Sequence, residues 1–291
     1  MNNKGKKIVF YILACLFVVN IYAQDIDSKK IEVSLNGSAG LSGLLFTTDE
    51  ESKLSFQDGY SYGWDVTFLF TKHCAFRTGL NMASYKSSIS IDKFETQYIM
   101  PTPSGLPPNS NFYLLTEYNN YEELYRVLYL RFPLMFQFQT GEKYKFYVSA
   151  GVQVGILSNA SYLIRCNNLT TKGYSEFTDY YFENFPEHGF SSYSNIKSTG
   201  KPDFGISFSG VLETGLKWKI NDEMALYTGF FADYGLNDIR KSNSTKESII
   251  CSNKGVFTFN SILHSQINDK QITGKVQPFA AGLRLRWSFL F

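Results

Sequence analysis

Cysteine, histidine and proline are scarce, at 4, 3 and 8 of 291 residues, and charged residues make up only 19%. Past the first two dozen residues no apolar run reaches the ~20 residues that a membrane-crossing helix needs. A 3.6-residue apolar period is missing too, which excludes a helical bundle. The motifs HExxH, GxSxG, GxGxxG and the phosphate-binding loop are absent, so the zinc-protease, serine-hydrolase and nucleotide chemistries they carry are not indicated. Lysine and arginine total 28 against 26 acids, and three of those lysines lie at Lys4, Lys6 and Lys7. Without them no basic excess is left to meet nucleic acid. What is plentiful is aromatic: 26 Phe, 20 Tyr and 3 Trp, with 22 Gly. That composition favours β structure with wide aromatic surfaces.

Residues 1–23 read as a Sec signal peptide, leaving 24–291 as one domain. Lys4, Lys6 and Lys7 form its basic start and Ile8 to Val19 its apolar core; cleavage is expected after Tyr22-Ala23. Of the remaining cysteines, Cys74, Cys166 and Cys251 fit no metal or redox spacing. Cys166 and Cys251 fall in long connections, where a disulfide between them is possible.

Period-two alternation recurs eight times. The segments are Ile31 to Gly43, Gly59 to Phe70, Phe76 to Lys86 and Leu128 to Phe138, then Lys145 to Leu157, Asp203 to Trp218, Met224 to Asn237 and Pro278 to Phe291. Each has one apolar register, for example Leu128, Leu130, Phe132, Leu134, Phe136 and Phe138. Apart from Lys86, which closes the third segment, no Asp, Glu, Lys or Arg enters these registers. The opposite registers are rich in Gly and Ser and hold Glu32, Asp65, Glu213 and Asp233 against Arg77, Arg131, Lys217, Arg284 and Arg286.

A soluble sandwich also alternates, but its polar face would be dense in Lys and Glu. Large rings gather near the segment ends instead: Tyr60, Tyr62, Phe136, Phe138, Phe146, Trp218, Trp287 and Phe289. Such rings suit a headgroup boundary. Short connections (71–74, 140–143, 221–223) alternate with long ones (44–59, 87–123, 159–203, 238–274). The pattern predicts an all-β, eight-stranded, antiparallel up-and-down transmembrane β-barrel. Its short turns would be periplasmic and its long loops extracellular, with the apolar rows facing lipid and lipopolysaccharide.

The segments FRTGLNMASYK, LYLRFPLMFQF, YVSAGVQVGIL, DFGISFSGVLETGLKW and the terminal GLRLRWSFLF resemble the outer-membrane β-barrel domain family that includes PorT-type proteins. The resemblance implies a Gram-negative outer-membrane location and a role of the PorT kind in type IX secretion. Separately, the apolar residues at every second position before Phe291 resemble the C-terminal signal read by the barrel-assembly machinery. Arg131-Phe132-Pro133 stands where the family has a carboxylate before an Ile-Pro pair.

An eight-stranded barrel has an interior that side chains fill. Equal distance from the short turns predicts a mid-barrel cluster of Glu213, Arg284 and Arg131; Asp65, Arg77, Asp233 and Arg286 complete the inward ionic set. Such a network either satisfies charges that water cannot reach freely or, read functionally, belongs to a gated narrow pore. Of the histidines, His73 lies in a turn and His188 and His264 in outer loops, where solvated imidazoles are expected. No partner set for a lipid A-modifying enzyme accompanies them, so neither enzyme activity nor a cofactor is expected. The remaining feature is aromatic: Tyr174, Phe177, Tyr180, Tyr181, Phe182, Phe185, Phe190 and Tyr193. These rings either pack on one another and on Phe94, Tyr98, Phe112 and Tyr113, or form an extracellular patch for a protein or glycan partner.

Overall fold

The structure, a computed structural model, describes residues 31–291 except 49–51, 101–106, 108–109, 142–143, 242–245, 248, 252–256 and 268–269. The expected signal peptide lies outside the described residues. Eight long strands form the barrel: β1 (Ile31–Leu45), β2 (Ser52–Leu69), β3 (Cys74–Met100) and β4 (Phe112–Thr140), then β5 (Tyr144–Ser175), β6 (Ser207–Lys219), β7 (Met224–Gly235) and β8 (Gln277–Leu290). Each pairs antiparallel with its chain neighbour, and β8 pairs with β1, which closes an up-and-down ring.

The short turns are built by their own side chains. Thr71 Oγ1 accepts the backbone N–H of His73 (3.1 Å) and Cys74 (2.9 Å). Asn221 Oδ1 accepts those of Glu223 (2.9 Å) and Met224 (2.7 Å). Both are hydroxyl or amide turns that stand in for a backbone bond. Gly141 opens the third turn at φ +111°, a conformation that a side chain would strain.

The alternation resolves as predicted. Leu35, Trp64, Phe136, Phe230, Leu283 and Trp287 lie on the outer surface, while Glu32, Asp65, Arg77, Arg131, Glu213, Lys217, Asp233, Arg284 and Arg286 are buried inside. A soluble fold would place them the other way round. The rings at the segment ends, Tyr60, Tyr62, Phe136, Phe138, Phe146, Trp218, Trp287 and Phe289, are all exposed.

Of the stretches Ser87 to Ile91 and Val256 to Phe259, whose alternation predicts strands continuing above the bilayer, the first lies in β3 and Phe257–Phe259 is a short strand; beyond them the long connections differ from expectation. Most of 87–123 and 159–203 is not loop: β3 runs on to Met100, β4 begins at Phe112, and β5 continues to Ser175, flanked by the strand Ser192–Gly200. At about 3.3 Å per residue the 32 residues of β5 extend for roughly 100 Å, against a lipid-facing band ~25 Å tall. These strands therefore rise as a wall well above the membrane. Cys166 belongs to β5, not to a loop. It is a buried free thiol whose Sγ–H lies near the carbonyls of Asn168 (3.1 Å) and Asn119 (3.5 Å). The side chain of Cys251 lies outside the described residues.

In the wall the apolar face turns inward. Ile89, Ile91, Phe94, Tyr118, Tyr121, Tyr125, Ile164 and Leu169 form one core with Ile262, Leu263, Ile272 and Val276 of the last long connection. Within the wall the inward parity changes at the level of Asn120 (φ +52°), Asp92 and Asn167, and the pairing register is the same on both sides, so the three strands change together. Below it the inward positions of β4 are odd (Tyr121, Tyr125, Tyr129); above it they are even (Phe112, Leu114, Tyr118).

β6 starts at Ser207 rather than at Asp203. Phe204, expected on the lipid face, is buried beside His264, with ring centroids 5.4 Å apart.

Candidate functional site

Three layers stack along the barrel axis. The lowest is ionic. Glu213 receives Arg77 through two bonds (Nη1 to Oε1 3.2 Å, Nη2 to Oε2 2.5 Å), Arg284 Nη1 at 2.9 Å, and the hydroxyl of Tyr147 at 2.9 Å. Asp233 Oδ2 accepts from Arg131 Nη1 (2.5 Å), Gln153 Nε2 (2.5 Å) and Tyr85 OH (3.0 Å). Asp65 accepts from Asn36 (2.9 Å) and Asn81 (3.3 Å). Nearer the periplasmic end Glu32 pairs with Lys217 and accepts from Tyr227 OH at 2.6 Å. Among the described residues no carboxylate bonds to Arg286: it donates to Gln137 (2.8 Å) and lies over the ring of Tyr227, 3.8 Å from the centroid. A face-on aromatic ring supplies part of the missing counter-charge.

The predicted trio is thus split. Glu213 and Arg284 meet, but Arg131 belongs to Asp233, and Arg77 takes its place on Glu213. Barrel strands tilt, so residues equally far from their turns do not share a height.

The middle layer is the apolar core, closed from above by residues 259–267 and 270–276. Its short 3₁₀ turn, Ile262–His264, is fixed at its N-terminal end by two acceptors. Ser261 Oγ accepts the N–H of Leu263 (3.2 Å). Glu123 Oε2 accepts the N–H of Ile262 (2.9 Å) and the hydroxyl of Tyr121 (2.8 Å). Arg240 ties the segment down by donating to Asp238 (2.7 Å) and to the carbonyls of Leu263 (3.1 Å) and Thr273 (3.2 Å). His264 was expected in solvent. It is buried, its Nε2 is 3.2 Å from the carbonyl of Asp203, and burial pushes its pKa down. That geometry leaves the ring next to a backbone carbonyl, not to a nucleophile. Among the described residues no cluster of His, Cys, Asp and Glu is arranged to hold a metal.

Glu123 was not legible in the sequence and is the unusual group of this layer. It is fully buried, no cation among the described residues bonds to it, and burial pushes its carboxyl up from the ordinary range. A carboxyl raised in the docked state binds its proton more tightly there than in solvent. Its contribution to docking is therefore complete below the ordinary glutamate value and is lost as pH rises through the raised one. Glu123→Gln, which keeps the acceptor oxygen, is expected to hold the segment 259–267 down more firmly at pH 8 and to flatten the pH dependence. Amide hydrogen exchange of that segment between pH 5 and 8 checks this, and unchanged pH dependence would refute it.

The highest layer is the tip of the wall. Tyr174, Tyr181 and Tyr113 form a ladder, with centroids at 4.7 Å (Tyr174–Tyr181) and 6.2 Å (Tyr113–Tyr174). Phe182 packs on Phe112 (5.7 Å), which also meets the buried Phe190 (6.1 Å), in a small core with Tyr98 and Leu114. Phe94 does not join them as expected; it stacks on Tyr118 at 4.1 Å within the middle layer. Tyr193 also packs against that layer. Phe177, Tyr180, Tyr181 and Phe185 are left between 41% and 64% exposed. Beside Tyr181 a cavity of about 430 Å³ is bordered by Glu95, Gln97, Glu117, Thr170 and Lys172. Anchored rings thus carry exposed ones, which is the arrangement of a presented surface rather than of a collapsed loop.

No curated protein sequence matches this chain. Among solved structures it is similar to OprG of Pseudomonas aeruginosa, at 11% identity and TM-score 0.35, over 90% of this chain and 96% of that one. It is also similar to Neisserial surface protein A, at 9% and 0.33, over 88% and 95%. The outer-membrane protease OmpT of Escherichia coli gives 9% and 0.30, over 92% and 100%. The family model described as outer membrane protein beta-barrel domain matches residues 22–241, so with its closed eight-stranded ring the chain belongs to that family of outer-membrane barrels.

Proposed function

We propose that this protein is a non-enzymatic surface receptor or adhesin. The barrel is a sealed anchor, and the wall of β3, β4 and β5 holds an aromatic recognition surface away from the bilayer. The observation that carries this reading is the exposure of Phe177, Tyr180, Tyr181 and Phe185 on a tip whose other rings are packed. Tyrosine and phenylalanine give large contact areas at low conformational cost, which favours them as binding anchors for a protein or glycan. The layered interior, ionic below and apolar above, supports an anchor over a pore. Export by the signal peptide at 1–23 and assembly through the strand that ends at Phe291 complete the reading.

The experiment compares wild type with Y180S/Y181S/F185S on the cell surface. Crosslinking in intact cells, followed by purification in mild detergent, is expected to recover a partner with wild type and to lose it with the triple variant. Equal recovery would overturn the reading. Copurification of secretion-complex subunits with both proteins would favour a PorT-like role instead. A stable single-channel current would favour a pore, and altered lipid A in a deletion strain would favour an enzyme.

A further inference from the structure

Lys86 of β3 and Arg126 of β4 stand directly opposite each other in the antiparallel ladder. Their neighbours Tyr85, Tyr125 and Val127 are buried inside, so by strand alternation both cations face outward. Arg126 is exposed; Lys86 is half-buried, with Nζ 5.8 Å from the centroid of Tyr60. Like charges directly across a ladder repel. Among the described residues neither has an ion-pair partner, and the residue across from Arg126 on β5 is Ser161. The next acid up the same face of β4, Glu122, is held by Arg165 at 3.3 Å.

Height gives the pair its meaning. Immediately below it on the same face lie Leu128, Leu130 and Met82, and on β2 Tyr62 and Trp64, the outer end of the lipid-facing band. The cations therefore sit at the level of outer-leaflet headgroups, with an amphipathic tyrosine beside them. Arginine binds phosphate through a planar fork and lysine as a point charge, and an anion between the two would turn repulsion into attraction. The geometry points to a binding site for the phosphate of an outer-leaflet glycolipid, with its acyl chains continuing down the Met82, Leu130 and Trp64 surface. This site is independent of the tip and goes beyond the surface-recognition reading.

The test uses the full-length barrel in dodecylmaltoside micelles, with bound lipid measured by native mass spectrometry. Bisphosphorylated lipid A, the same lipid dephosphorylated, and millimolar inorganic phosphate are the probes. Wild type and the control Lys201→Gln are expected to retain the bisphosphorylated form about tenfold better than the dephosphorylated one, and K86Q/R126Q to lose that preference. Inorganic phosphate should not displace the lipid. Arg126→Glu gives Lys86 an acid directly opposite, so it should keep heat-modifiable migration while losing lipid A, and it serves if the double glutamine variant fails to fold. Retention by either variant equal to wild type would overturn the proposal. So would displacement by inorganic phosphate, which would leave a phosphate site without a lipid.

Discussion

Glu213→Ala is expected to destabilise the barrel by about 3–5 kcal/mol, because it leaves buried guanidinium groups without their counter-charge. Arg77 and Arg284 both bond to this one carboxylate, and all three groups are shielded from water. Tyr147 would also lose its acceptor. Arg286→Met is the informative contrast, since Arg286 donates to Gln137 and stacks on Tyr227 without bonding to a carboxylate among the described residues. Removing it orphans no acid, so its cost should be far smaller. Urea unfolding in detergent micelles, followed by loss of heat-modifiable migration, measures both. Equal losses would mean that packing volume, not charge pairing, holds the lowest layer together.

The second large effect is expected at Leu283→Arg. Leu283 sits mid-way along β8, opposite Phe230 of β7, and the two are 59% and 67% exposed. On a water-facing surface, exchanging such a leucine for arginine would change stability by no more than about 0.5 kcal/mol. At the midplane of a bilayer the same change costs about 2–4 kcal/mol. Unfolding from phospholipid vesicles should show the larger figure, and Ser209→Arg would not serve as a control because Ser209 faces the filled interior. A cost near zero for Leu283→Arg would mean that this row does not meet acyl chains.

The ring and its orientation were legible because lipid imposes a simple rule. In Leu128 to Phe138 every second residue must be apolar, and the rows opposite can hold Arg131 and Glu213 only if they face inward. Above the membrane that rule lapses. In Phe112 to Tyr125 the inward residues change parity at Asn120, and Glu117, Glu122 and Glu123 interrupt the alternation, so a fixed two-residue period sees loop where there is strand. The signal was present as an Asn between two alternating runs, Phe112 to Tyr118 and Tyr121 to Tyr129. The ionic residues were identifiable as a set but not as pairs, since partner choice depends on strand tilt. Glu123 could not be recognised at all: its role comes from the N–H of Ile262, 139 positions away. The tip was half legible. Its aromatic density marked it out, but only the packing of Phe182 and Phe190 on Phe112 distinguishes the rings that support from those that are presented.

The inversion of polarity along β3, β4 and β5 also sets the depth at which this molecule floats. Sinking further would drag Arg126, Glu122 and Arg165 among hydrocarbon tails, and rising would strip Leu128 and Leu130 of theirs. Both displacements are uphill, so the sheet acts as its own draught mark, holding the tip at a constant elevation however the surrounding bilayer varies.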